Sequence, residues 1–200
     1  MHMTSSRLNT VLSAIDQINS EDPNQTLVNG HSQPNELLYG QYMTTCLEQY
    51  FPQSNELLQI AVRAQHIKRW HLKRTEFEAG KAGYYQWRIE QGKFHAQLAK
   101  SLMLENGFDE NEAETTACIL RKEKLKTNSD TQTLEDVACL VFLQYYFDDF
   151  AEKFIAKDNE AKIIRIVQKT WGKMSPKAHK IALSLTLPEH LAHLVNKALA

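Results

Sequence analysis

The chain has 200 residues, with 23 Lys plus Arg against 24 Asp plus Glu, a net charge of -1. That balance excludes a generally basic nucleic-acid binder while leaving room for a local basic patch. Hydrophobic residues at 42% and charged residues at 24% suffice for a buried core, and only 7 Gly and 5 Pro interrupt the chain, so helices are favoured over a barrel or sandwich.

In chain order, Leu8, Val11, Leu12, Ile15 and Ile18 recur at helical spacing and predict a first amphipathic helix over 4–20, ended before Pro23. A polar segment with Gly30 and Pro34 follows, long enough for a functional or mobile loop. A second helix starts near Pro34, with Glu36 in its first turn, and stops at Pro52. Ser54 or Asn55 caps a third, apolar along Leu57, Leu58, Ile60, Ala61, Ala64 and Ile67. Residues 71–80 read as a loop. A long helix over about 82–105, with Gly92 as a candidate interruption, ends at Asn106-Gly107.

Asp109 or Asn111 opens a helix that runs to Leu125, and Asn128 to Thr133 is a turn. The stretch 133–156 is apolar around nearly its whole circumference, which predicts the central buried helix. Shorter helices are expected at 158–171, 175–184 and 188–199. No internal repeat, low-complexity tract or alternating strand pattern is present. The expectation is one compact all-α domain over 1–200: an N-terminal helix and polar loop to 35, a core over 36–156, and C-terminal helices from 157.

Cys46, Cys118 and Cys139 form no CxxC pair, which argues against structural zinc or a disulfide framework and for a reducing cytosol. The start MHMTSSRLNT lacks a signal-peptide core, and the longest apolar run, Val137 to Leu143, is far short of a membrane span of roughly 20 residues. A cytoplasmic protein without a membrane anchor is expected.

Four constellations could carry chemistry. Gln65-His66-Ile67-Lys68-Arg69-Trp70-His71 ends an otherwise apolar helix, with Lys73 and Arg74 after it. Cations there suit a phosphate or carboxylate ligand, although a solvated helix end complementing the dipole accounts for the same residues. Glu135-Asp136 opens the most apolar helix. At least one of these acids faces the interior and needs a cation, a donor network or a metal. Tyr84-Tyr85-Gln86-Trp87-Arg88, with Lys93-Phe94-His95, interleaves aromatics and cations, as a base-stacking surface or a packed helix interface does. Arg121-Lys122-Glu123-Lys124 closes a helix and reads as a solvated face.

Lys173-Met174-Ser175-Pro176-Lys177 resembles the KMSKS loop of class I aminoacyl-tRNA synthetases, but the parallel sheet and the HIGH-type motif of those enzymes are absent. It reads instead as a helix cap, with Ser175 at the cap and Pro176 at N1. The strings AIDQINSEDPN, ELLYGQYM, AVRAQHIKRWHLKR, AGKAGYYQWR, KFHAQLA, LEDVACLVFLQYYF and KTWGKMS resemble the family called domain of unknown function 4202, over nearly the whole chain.

More distantly, ELLYGQYMTTCLEQYFPQSNELLQIAVRAQHI, KFHAQLAKSLMLENGFDENEAETTACILRKEKL and LEDVACLVFL resemble the helices of HD-domain proteins. These are all-α and mostly metal-dependent phosphohydrolases acting on nucleotides or related phosphoesters. The resemblance places Tyr39 where the first-helix His stands, Gln65-His66 where the His-Asp pair stands, and Asp136, with Glu135 beside it, at the final acid. His95 is a substitute for a lost ligand.

What the resemblance implies is a phosphorylated small molecule or nucleotide as ligand, with Lys68, Arg69, Arg74, Arg88 and Lys122 as its anion-binding candidates. A divalent metal on His66, His95 and Asp136 would support phosphoester hydrolysis. The alternative, which the incomplete motif favours, is a non-catalytic sensor or interaction module that binds an anionic ligand.

Overall fold

A computed structural model describes residues 6–157 and 159–199. The expected first-helix residues 4 and 5, and residue 158, lie outside the described residues. The described chain is all-α apart from one two-stranded hairpin, as its composition predicts. It divides into two compact units, the first ending at Leu134 and the second beginning at Glu135.

In the first unit, α1 (Ser6–Asn19) leads to the hairpin β1 (Gln25–Val28) and β2 (His31–Pro34), then α2 (Asn35–Tyr50) and α3 (Glu56–Ala64). Two 3-10 turns, Arg69–His71 and Arg74–Glu76, precede α4 (Gly80–Glu105) and α5 (Glu110–Leu120). The central element of this unit is α3: Leu58, Ile60, Ala61, Val62 and Ala64 are buried, and α1, α2, α4 and α5 all pack on it. Its start is set by Asn55, whose side chain accepts from the Leu58 amide at 2.8 Å.

The hairpin corrects the expected polar loop. Asn29 and Gly30 sit at φ 50° and 80°, the two left-handed positions of a two-residue turn, where Asn-Gly is favoured. The strands are short and mostly exposed, so no alternating pattern betrays them. Asp22 ties the hairpin to the next helix. One carboxylate oxygen accepts from the Asn24 amide at 2.9 Å, and the other accepts from the Glu36 amide at 3.0 Å, capping α2 from outside.

Helix α4 runs unbroken through Gly92. Its start requires Gly83, because a Cβ there would lie 2.0 Å from the Glu78 carbonyl oxygen. The helix expected to reach Leu125 stops at Leu120, and left-handed Lys122 and Lys124 turn the chain.

The expected single helix over 133–156 is three pieces: α6 (Ser129–Val141), a π-helical turn (Phe142–Tyr146) and α7 (Phe147–Ile155). The boundary between the units falls within α6. In the second unit, α7, α8 (Glu160–Trp171) and α10 (Glu189–Leu199) pack pairwise around Leu143, Phe147, Ile163, Val167, Leu191 and Leu194. The remaining helix, α9 (Pro176–Ser184), has Ser175 as its cap and Pro176 in its first turn, as the KMSPK string predicts.

Candidate functional site

The first unit gathers Glu36 and Tyr39 from α2, His66 and Arg69 from the turn after α3, and Gln91 and His95 from α4. Asn19 holds this turn in place from α1. Its Oδ1 accepts from the Lys68 amide at 2.9 Å and its Nδ2 donates to the Glu36 carbonyl at 3.4 Å. Lys68 is left-handed at φ 51°, so the chain reverses there and begins the 3-10 turn that carries Arg69.

His66 lies at the centre. Arg69 Nη1 donates to His66 Nε2 at 2.7 Å. Arginine can only donate, so Nε2 is unprotonated, and the neutral ring carries its hydrogen on Nδ1, which donates to Glu36 Oε2 at 3.1 Å. Tyr39 stacks on the imidazole, with ring centres 4.0 Å apart and planes at 12°. Burial, followed by the positive charges of Arg69, Lys122 and Arg88, holds His66 well below the usual histidine range. Burial pushes the Glu36 carboxyl up to about 7 against the opposing pull of Arg69, then His95.

His95 is buried, and its ring centre lies 6.2 Å from that of His66. Its Nδ1 donates to the Ile67 carbonyl at 2.8 Å, leaving Nε2 as a bare lone pair. Burial is the main reason its basicity falls, to about 3. One turn earlier, Gln91 Nε2 donates to the Arg69 and Leu72 carbonyls at 2.9 and 3.1 Å. The Arg69 guanidinium lies 4.9 Å from the Trp87 ring centre, and Arg88 lies 6.0 Å from that of Tyr84.

Of the residues singled out from sequence, His66, His95, Arg69 and Tyr39 converge here, and Arg88 and Lys122 act on the same imidazole through their charge. Gln65 lies beside His66 with a buried Oε1 that has no hydrogen-bond partner. Arg74 is engaged elsewhere: it donates to the carbonyls of Phe77, Glu78 and Gly80 at 3.0, 2.8 and 3.2 Å, stapling the loop that leads into α4.

Glu135 and Asp136 are both buried and belong to the second unit. Glu135 pairs with Lys173 at 3.2 Å. Asp136 accepts from the Ser175 amide at 2.8 Å and from its hydroxyl at 2.5 Å, fixing the residue that caps α9. His66 fits a divalent ion poorly, because its Nδ1 proton is donated to Glu36 and its Nε2 lone pair is taken by Arg69. Among the described residues, no three His, Cys, Asp or Glu side chains come together as a metal cage.

Sequence reasoning gave Glu36 only a helix-start role and did not single out Asn19 or Gln91. The signal for Glu36 was its i,i+3 spacing from Tyr39, which puts both on one helical face.

A family model described as domain of unknown function 4202 matches residues 9–195. The chain belongs to this family. No curated protein and no solved structure matches it significantly. The matched span includes Tyr39, Gln65, His66, Arg69, Arg88, His95 and Asp136. No described helix is long and apolar enough to cross a membrane.

Proposed function

We propose that the first unit is a binding module for a small anionic ligand bearing a phosphate group, held at Arg69, Arg88 and Lys122. One observation carries this reading: Arg69 spends a guanidinium donor on a neutral imidazole, while Arg88 and Lys122 bias the same ring against charge. Arg69 also faces Glu36, but only at 3.9 Å from Nε to Oε1. An arginine–imidazole bond and this long approach leave the guanidinium without the close forked oxygens it suits, so a phosphate competes for its donors. Tyr39 and Trp87 hold the imidazole and the guanidinium at the two ends of the cluster by stacking.

Hydrolysis through a divalent ion on His66, His95 and Asp136 is the less supported reading, since both ring nitrogens of His66 are already committed to protein partners. The HD-like layout remains our reading of the sequence pattern, and the free thiols of Cys46, Cys118 and Cys139 support placing the protein in a reducing cytosol.

The test is calorimetric titration with inorganic phosphate and pyrophosphate against chloride at matched ionic strength. We expect saturable phosphate binding, weakened at least tenfold by Arg69→Met, with helical content unchanged. Absence of saturable binding to either phosphate would refute the module.

A further inference from the structure

Two buried acceptors of α4 beside the cation cluster have no donor among the described protein groups: His95 Nε2 and Gln91 Oε1. Both side chains are only 4% exposed. Neither assignment can be reversed. His95 Nδ1 faces the Ile67 carbonyl, so the proton sits there and Nε2 is bare. Gln91 Nε2 faces two carbonyls, so a flipped amide would set oxygen against oxygen. The two residues are one helical turn apart and therefore share a face, and that face meets the turn that carries His66 and Arg69. Gln65 Oε1, next to His66 in sequence, is a third buried acceptor without a donor.

Buried acceptors are normally paired, and leaving one unpaired is costly. A phosphate dianion does not meet the need, because it too brings only acceptors. An ammonium donor is disfavoured by Arg69, Arg88 and Lys122, which already disfavour positive charge at His66. A neutral hydroxyl donates without adding charge.

Resting on the anion-site reading above, we propose that the ligand is a hydroxylated phosphate monoester of the sugar-phosphate or polyol-phosphate class. Its phosphate oxygens take the donors of Arg69, Arg88 and Lys122, and its hydroxyls donate to His95 Nε2 and Gln91 Oε1. His95 and Gln91 thereby set specificity, whereas the cations set affinity.

The experiment compares glycerol 3-phosphate with propyl phosphate, equal in charge and close in length, by calorimetric titration of the full chain. The wild-type protein is expected to prefer glycerol 3-phosphate by about a hundredfold, roughly tenfold for each of two hydrogen bonds to otherwise unpaired buried acceptors. His95→Asn keeps a donor near the Ile67 carbonyl but removes the Nε2 acceptor. It is expected to lose about tenfold of that preference, the share owed to His95, with Gln91 keeping the rest. His95→Gln restores an acceptor near Nε2 and should recover part of the preference.

Equal wild-type affinities would overturn this inference and leave the anion site standing, with water as the donor to the two acceptors. Failure of both compounds to bind would overturn the anion site itself. A preference undiminished in His95→Asn would overturn the role given to His95. The wild-type comparison decides the ligand class even if the Asn variant does not fold.

Discussion

Arg74 separates what the sequence suggests from what the fold does with it. By sequence it is one more cation in a basic cluster, but its guanidinium donates to three carbonyls at the entry to α4, those of Phe77, Glu78 and Gly80. The bond to Phe77 is partly buried and charge-assisted, which makes it worth about 1.5 kcal/mol. The two exposed bonds add roughly 0.3 kcal/mol each after solvent screening. Arg74→Ala should therefore destabilise the protein by about 2 kcal/mol, equivalent to roughly 4–8 °C in Tm for a chain of this size. Arg74→Lys keeps the charge but not the fork, and should recover less than half of the loss. Urea unfolding followed by tryptophan fluorescence gives the stability, and hydrogen exchange should show the loss concentrated around 77–83. Phosphate affinity should stay within twofold of wild type. An unchanged stability with a tenfold loss of phosphate affinity would refute this assignment and return Arg74 to the ligand site.

Lys68 holds a left-handed conformation at φ 51°. Lys68→Gly should relieve that strain and stabilise the fold by about 0.5–1 kcal/mol in chemical unfolding. Glu36 has its folded-state pKa raised from 4.5 to about 7 by burial, so the native state binds the extra proton between these values and the carboxylate costs stability as pH rises through them. The stability of Glu36→Gln relative to wild type should accordingly increase from about pH 4.5 to about pH 7, and a flat difference would contradict the burial argument. His95 has the opposite sign: its depressed pKa favours folding as pH rises from about 3 towards its ordinary 6.5, and its ring proton resonances should not shift in NMR between pH 8 and pH 5. Asp136→Asn replaces a charge-assisted acceptor of two Ser175 donors and should cost about 2–3 kcal/mol, with no change in divalent-ion uptake by calorimetry.

The helices were legible because their signals are local. Asn55, Asp109 and Ser175 each cap the helix that follows, and the Asp109–Glu112 capping box is complete. The hairpin was missed because its strands are exposed on both faces, leaving only Asn29-Gly30 as a mark. The division of 133–156 was missed because a π-helical turn preserves the apolar continuity that suggested one helix. In the site, the identity of His66 and Arg69 was legible as a basic cluster at a helix end. Their engagement with each other and with Glu36 was not, because it depends on a left-handed Lys68 held by Asn19 from a separate helix. The pair Glu135-Asp136 was read as holding at least one interior acid, and both are buried, but the cap contact of Asp136 with Ser175 lies 39 residues away, beyond any local pattern.

The central claim, that the cations around His66 form an anion site, is tested most directly by following the His66 ring in two-dimensional NMR during titration with inorganic phosphate. If phosphate takes the Arg69 donor, the His66 Nε2 resonance moves saturably as its hydrogen bond from Arg69 is lost, and Arg69→Met abolishes the saturable response. A His66 ring unmoved by phosphate at concentrations that fill the site, or a response that persists in Arg69→Met, would contradict the account.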